Sequence, residues 1–246
     1  MEKTALITGA AGGIGSTLVQ VFHGAGYRVI ATDLIEQPAD LPCHRYLVAD
    51  LAGYVQDEHY AHGIDSVLHS ELEGQLDVLI NNAAIQILAT TAGLTRDDWR
   101  KTLDVNLLAP FLLVQAMLPE LCAARGSVIN IGSIHARLTK KQFTAYATSK
   151  AALAGMTRAL AVDLGPQVRI NAIEPAAIET DMLKAGFATN PKNYAQLKAY
   201  HPQQRIGTPK EVARLALAIA DGGMDFLHGS CIGLDGGIAG TLHDPD

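Results

Sequence analysis

The chain has 246 residues, 48% of them hydrophobic and 18% charged, with a formal net charge of −6. That length suits one large α/β domain that buries its core without disulfides or metals, and the composition excludes disorder and fibrous repeats. The acidic balance, with no Lys/Arg cluster beyond Lys140 and Lys141, excludes the electrostatic footprint of a nucleic-acid binder.

Thr4 to Thr8 is a short β-prone run that ends in glycines, after which Ile14, Leu18, Val21 and Phe22 recur at helical spacing until Gly24 and Gly26. A second run, Tyr27 to Thr32, ends at Asp33, completing the rhythm of a βαβ unit. Further strands are predicted at Tyr46–Ala49, Leu76–Ile80, Ser127–Ile131, Val168–Ile173 and Cys231–Leu234, with helical stretches between most of them. Strands this continuously apolar are covered on both faces. The expected architecture is a single α/β domain over residues 1–246, a doubly wound, Rossmann-type parallel sheet with helices on both faces. Residues 176–207, with Pro191, Pro202, Asn190 and Asn193 ahead of a helix at Glu211–Ala220, read either as a lid over a site or as a surface insertion.

The most apolar window, Leu107 to Ala124, is broken by Pro110, Gln115, Pro119 and Glu120, and no basic segment followed by an apolar one opens the chain. No membrane partner is expected. Cys43, Cys122 and Cys231 form no close pair, which suits a reducing, cytoplasmic compartment and small buried side chains. The nine histidines are scattered and no metal site is expected.

In Thr8-Gly9-Ala10-Ala11-Gly12-Gly13-Ile14-Gly15 the glycines lie between strand and helix, where side chains would obstruct a pyrophosphate facing the helix N-terminus. Gly9, Gly13, Ile14 and Gly15 are the candidate contacts, although the spacing departs from G-x-G-x-x-G and a tight structural turn would use the same residues. Asp33, 18 residues after Gly15, can accept hydrogen bonds from an adenosine ribose. It would repel a 2′-phosphate at ~4 Å by several kcal/mol, so the expected cofactor is NAD rather than NADP. Asp50 can hydrogen-bond an adenine amino group or cap a helix.

Tyr146 and Lys150 stand four apart at the start of a helix whose buried stripe is Leu153, Met156, Leu160 and Leu164. For a tyrosine to act as a base at pH 7, its pKa must fall from about 10 to about 7, or by roughly 4 kcal/mol. A nearby ammonium and a cationic nicotinamide could supply that.

Together with Asn81-Asn82-Ala83-Ala84, Asn106, Ser133 and Pro175 to Thr180, these marks resemble the short-chain dehydrogenase/reductase family along almost the whole chain. The resemblance implies that Tyr146 is the acid/base, Lys150 lowers its pKa and holds the nicotinamide ribose, and Ser133 hydrogen-bonds the reacting oxygen. It further implies that Asn106 interrupts its helix and holds a water linking Lys150 to solvent, that Asn82 stabilises the sheet centre, and that Ile178 and Thr180 touch the carboxamide. A homotetramer packed through the helices around Asn106 and Tyr146 is implied as well. The family usually has glycine at the positions of Ala84 and Ala176. Its enoyl reductases space the Tyr–Lys pair more widely, so the expected reaction is hydride transfer between nicotinamide and a secondary alcohol or ketone. Gln86 and His135 resemble the carboxylate-holding pair of 3-hydroxybutyrate dehydrogenases, with Phe143 where those have a lysine and Lys140, Lys141 and Arg137 close in sequence. The substrate expected on that resemblance is a small hydroxy acid. A polyol or sugar is the alternative, and a catalytically silent dinucleotide-binding protein the other.

Overall fold

The computed structural model describes residues 2–180, 183–184, 187 and 191–242. Seven parallel strands, β1 (Thr4–Thr8), β2 (Arg28–Asp33), β3 (Arg45–Val48), β4 (Val78–Asn81), β5 (Ser127–Ile131), β6 (Arg169–Pro175) and β7 (Cys231–Leu234), form one sheet. Their order is β3-β2-β1-β4-β5-β6-β7. Alternate residues of a strand face opposite sides, so β1 sends Ala5 and Ile7 to one core and Leu6 to the other. The first core takes Leu18 and Phe22 of α1 (Gly13–Gly24) and Val212, Ala216 and Ile219 of α9 (Pro209–Ala220). The second takes Leu68 and Leu72 of α3 (Glu58–Leu72), which follows the short α2 (Leu51–Gln56), and Leu113 and Leu121 of α5 (Ala109–Ala116) and α6 (Leu118–Ala124). Helices therefore cover both faces, as the unbroken apolar strands require.

The chain reverses direction of winding between β1 and β4, and the crevice beyond the carboxyl ends of those strands is where such sheets bind ligands. Two helices bring catalytic candidates to that edge. One is α4 (Arg96–Leu103), which runs through a π turn at Asp104–Leu108 into α5; the other is α7 (Thr144–Leu164). The N-terminus of α4 carries a reciprocal cap between Thr95 and Asp98.

Among the described residues no single helix is long and apolar enough to cross a membrane. The bent pair Arg96–Ala116 and Leu118–Ala124 passes by length and composition, but Leu113, Val114, Met117 and Leu121 on it are core residues.

The excursion over residues 176–207 is closed at its base by a bridge between Ile178 and Gly207. It contains a helix, α8 (Pro191–Ala199). Residues 181–182, 185–186 and 188–190 of it lie outside the described residues.

Candidate active site

A cleft of about 1050 Å³ opens over the carboxyl edge of the sheet. That is the upper end of the roughly 300–1,000 Å³ typical of small-ligand sites. Of the residues predicted to form a site, Gly9, Gly13, Ile14, Gly15, Asp33, Asp50, Asn82, Gln86, Ser133, His135, Phe143, Tyr146, Lys150, Ile178 and Thr180 all line it. Asn106 does not line it; it is buried behind the wall.

At one end the glycine turn is folded tightly on itself. Gly9 has φ +64, and a Cβ there would lie 2.7 Å from the Cα of Ala83. At Gly15 a Cβ would stand 1.9 Å from the Gly9 carbonyl oxygen, so no side chain fits. A Cβ on Gly13 would meet Thr180 Cγ2 at 3.0 Å, which brings the Pro175–Thr180 segment against the helix start. Gly12 caps α1 without a side-chain bond, which leaves the first-turn amides free to face an anion. Thr8 Oγ1 accepts from the Asn82 and Ala83 amides at 3.0 Å, and Asn82 Nδ2 donates to the carbonyls of Thr8 and Gly9 at 3.0 and 2.9 Å. Asn82 thus pins the turn to the end of β4. These features fit a dinucleotide pyrophosphate.

Asp33 Oδ2 accepts from the Ala11 amide at 2.9 Å and Oδ1 from that of Leu34 at 2.7 Å, so the carboxylate is fixed at the rim. Asp50 caps α2 by accepting from the Ala52 amide and also lines the cleft. Between Thr32 and Leu34, and between Ala49 and Ala52, the lining holds these two carboxylates and no cation.

At the other end Ser133 follows β5, heads a 3₁₀ turn at Ile134–Ala136 and hydrogen-bonds Tyr146. Lys150 lies one helical turn beyond Tyr146, with Nζ 5.8 Å from the tyrosine ring centre. Burial pushes the Tyr146 phenol above its usual value, and the Ser133 bond pulls it part of the way back. Burial also brings the Lys150 ammonium down to about 8. The expected lowering of the phenol is therefore not produced by this chain alone, because Lys150 is itself desolvated and its Nζ donates to the Ile131 carbonyl at 2.8 Å.

Asn106 occupies the π turn, confirming the expected interruption of its helix. Its Oδ1 accepts from the Ile85 amide at 2.8 Å, and its Nδ2 donates to the Ile85 carbonyl at 2.9 Å and to Ser149 Oγ at 3.0 Å. Both amide hydrogens are thereby committed. Ser149, fully buried, donates in turn to the Tyr146 carbonyl at 2.7 Å. Sequence reasoning missed this residue, although it lies inside the Tyr146–Lys150 spacing on the buried side of the helix.

Phe143 is buried and stacks on His135 at 4.3 Å between ring centres, and His135 meets the Tyr146 ring edge-on at 5.8 Å. Burial, and then the charge of Lys140, hold the His135 imidazole down to about 4. Lys140 lines the cleft with Nζ 4.7 Å over the Phe143 ring. Lys141 does not line it, and Arg137 is engaged with Glu174 at 3.0 Å. Ala84 and Ala176 both lie outside the positive-φ region, so alanine costs nothing in backbone terms at either turn. Among the described residues no group of three or more His, Cys, Asp or Glu could hold a metal ion.

Residues 9–239 match the model of the family described as Enoyl-(Acyl carrier protein) reductase. A trans-4-hydroxycyclohexanecarboxylate dehydrogenase of Sinomonas cyclohexanicum is 32% identical over 96% of this chain and 92% of its own length. Among solved structures, 4-hydroxyisoleucine dehydrogenase complexed with NADH is similar with TM-score 0.88 and 27% identity, over 98% of this chain and 100% of that one. A 3-oxoacyl (acyl-carrier-protein) reductase of Agrobacterium tumefaciens C58 with NADP bound has TM-score 0.83 and 30% identity, over 95% and 93%.

Proposed function

The chain belongs to the short-chain dehydrogenase/reductase family, oxidoreductases that bind a nicotinamide dinucleotide, and we propose that it uses NAD to interconvert a small hydroxy acid and its keto acid. The observation that carries this reading is the grouping of Ser133, Tyr146 and Lys150 on one wall of the cleft whose other end is the glycine turn.

When bound, NAD supplies the hydride acceptor and a cationic ring. Ser133 Oγ donates to the substrate oxygen and orients it toward Tyr146. The Tyr146 phenolate removes the hydroxyl proton as general base, and in the reverse direction the phenol returns it. Lys150 keeps a positive charge next to a phenol that burial alone would hold neutral. Asn82 and Thr8 pin the glycine turn that would hold the phosphates, and Ile178 and Thr180 would flank the carboxamide end.

The choice of NAD is supported by Asp33 and Asp50 at a rim that lacks a cation to receive a 2′-phosphate. Solved relatives carry NADH in one case and NADP in another, so the reading rests on local charge. The three-residue interval between Tyr146 and Lys150 favours a C–O over a C=C reaction, whatever the family description. The carboxylate anchor is Lys140. Of the ammonium groups lining the cleft, Lys101 is bound to Asp97 at 2.8 Å and Lys150 is buried, whereas Lys140 has no carboxylate partner among the described residues. His135, kept neutral, and Gln86 add hydrogen-bond donors beside it. A homotetramer in the cytoplasm completes the reading; the exposed Leu108, Phe111 and Val162 on the π turn, α5 and α7 suit packing between subunits.

The test is a panel of hydroxy acids, polyols, sugars and cyclic alcohols with NAD and with NADP, followed by the absorbance of the reduced cofactor. Turnover of hydroxy acids with NAD is expected. Turnover of uncharged alcohols alone would overturn the substrate reading, and no turnover with tight NAD binding would point to the silent dinucleotide-binding protein.

A further inference from the structure

Behind Ser133 lies a carboxylate that the mechanism above does not use. Glu174, on β6, is 2% exposed, and its Oε2 is 3.0 Å from Nε of Arg137, whose side chain is half exposed. The two groups touch as an ion pair, without the alignment of a hydrogen bond. Leaving a carboxylate this far from water without a partner is costly to the fold, and Arg137 is the partner the structure supplies. Arg137 is the C-terminal cap of the 3₁₀ turn whose N-terminal cap is Ser133 and whose first residues include His135.

The neighbouring strands are built around this contact. Across the sheet Glu174 is paired with Gly233 on β7 and is flanked on the β5 side by Gly132, just beyond the pair Ile131–Ile173. A Cβ at Gly132 would come within 3.1 Å of Glu174 Cγ, and one at Gly233 within 3.3 Å of Arg137 Nη2. Neither glycine has a positive φ, so backbone conformation does not call for it. Space does: together the two glycines clear a lane by which the guanidinium reaches the buried acid.

We propose that Glu174 is a positioning residue that, through Arg137, locks the Ser133–Arg137 turn in place and so fixes the Ser133 hydroxyl and the His135 ring relative to Tyr146. The proposal rests on the reading of Ser133 and Tyr146 as ligands of the reacting oxygen. At its own end of the turn Ser133 is tethered by its Oγ, which accepts from the His135 amide at 3.1 Å. The Arg137–Glu174 pair is the tether at the far end, and it crosses to a different strand.

The experiment uses the full-length enzyme with Glu174→Gln, Arg137→Gln, the double variant and Arg137→Lys. Expected for both single variants is a fall in kcat of about 10- to 100-fold, the scale of a displacement near 1 Å in a catalytic group. NAD affinity should be unchanged, the double variant should be no worse than either single one, and Arg137→Lys should recover most of the rate. Hydrogen exchange at the amides of residues 133–137 should quicken in both Gln variants while that of β1 and α1 does not. Arg137→Gln, altering a half-exposed side chain, serves where Glu174→Gln fails to fold. Normal kcat in Arg137→Gln, or unaltered exchange over 133–137, would overturn the proposal. Should the native enzyme oxidise nothing in the panel, it is the functional reading that fails, and the exchange measurement still decides whether the anchor exists.

Discussion

Lys150 reaches from α7 to the end of β5 and donates its Nζ–H to the carbonyl of Ile131 at 2.8 Å. Lys150 is 3% exposed and has no carboxylate within ion-pairing distance among the described residues, so the cost of its charge to the fold is met by this dipole, by the Tyr146 ring and by whatever binds in the cleft. Catalysis and stability therefore pull this one side chain in opposite directions.

Lys150→Met should accordingly raise the stability of the cofactor-free protein while removing turnover. A lysine held at about 8 in place of 10.5 destabilises the folded state by on the order of 3 kcal/mol where both states are charged. The lost Ile131 contact returns about 1 kcal/mol of that. The sign follows from proton counting. Below pH 8 the penalty is complete; as pH rises from 8 to 10.5 the folded state has shed its proton and the unfolded state has not, so native stability climbs. The gain in Tm from the substitution should thus be largest below pH 8 and vanish near 10.5, and a gain independent of pH would contradict this account.

Asn106 carries both polar groups of Ile85 on a single side chain. Asn106→Ala should lower the urea midpoint by an amount equivalent to about 1–3 kcal/mol per stranded group. Ser149→Ala should cost less, since Asn106 keeps its hold on Ile85. Equal losses in the two variants would mean that the clamp on Ile85 is not the stabilising contact.

Asp33→Ser should shift the ratio of kcat/KM for NAD over NADP toward NADP by removing the repulsive carboxylate. Because Asp33 also accepts from Ala11 and Leu34, affinity for NAD should fall as well. An unchanged ratio would place the discrimination elsewhere.

Lys140→Ala should raise KM for a hydroxy acid about 10-fold or more, the scale of a hydrogen bond to a charged group, and leave KM for an uncharged alcohol within about twofold. With His135 held at about 4, that KM should also stay flat between pH 5.5 and 7.5, since no imidazole changes charge there. A step in KM near the ordinary histidine range would show that His135 binds the substrate as a cation.

Periodicity and composition are enough to find every strand, and β1, β5 and β7 agree residue for residue, because apolar runs closed by Gly9, Gly132 and Asp235 leave little freedom in where a buried strand ends. The edge of β4 was less legible. Leu76 is buried and looks like a strand residue, yet its amide donates to the Glu120 carbonyl instead of to a ladder. Helix α8 carries Pro191 and Asn193, two of the residues that set 176–207 apart in the sequence, but Pro191 stands at the first position, where a proline favours a helix. In the site, short-range spacing revealed Tyr146 and Lys150, whereas the 21-residue leap from Ile85 to Asn106 and the hold of Glu174 on Arg137 depend on the sheet having formed. The role of Phe143 was obscured for a related reason. Its position suggests a substrate contact, and only the fold shows that its ring packs against both His135 and the Lys140 ammonium.

The π turn at Asp104–Leu108 sets α4 and α5 on one course but out of step, by the roughly 100° that a single residue adds to a helix. Everything upstream of it, including the Thr95–Asp98 cap and Lys101 at the cleft, is registered against everything downstream by that one surplus residue. Loss of a single codon here would leave an uninterrupted, better bonded helix and yet swing Lys101 about a quarter turn around the axis. The segment is thus constrained in its length as well as in the identity of Asn106. A one-residue deletion there would therefore cost the placement of Lys101 as well as the hold of Asn106 on Ile85.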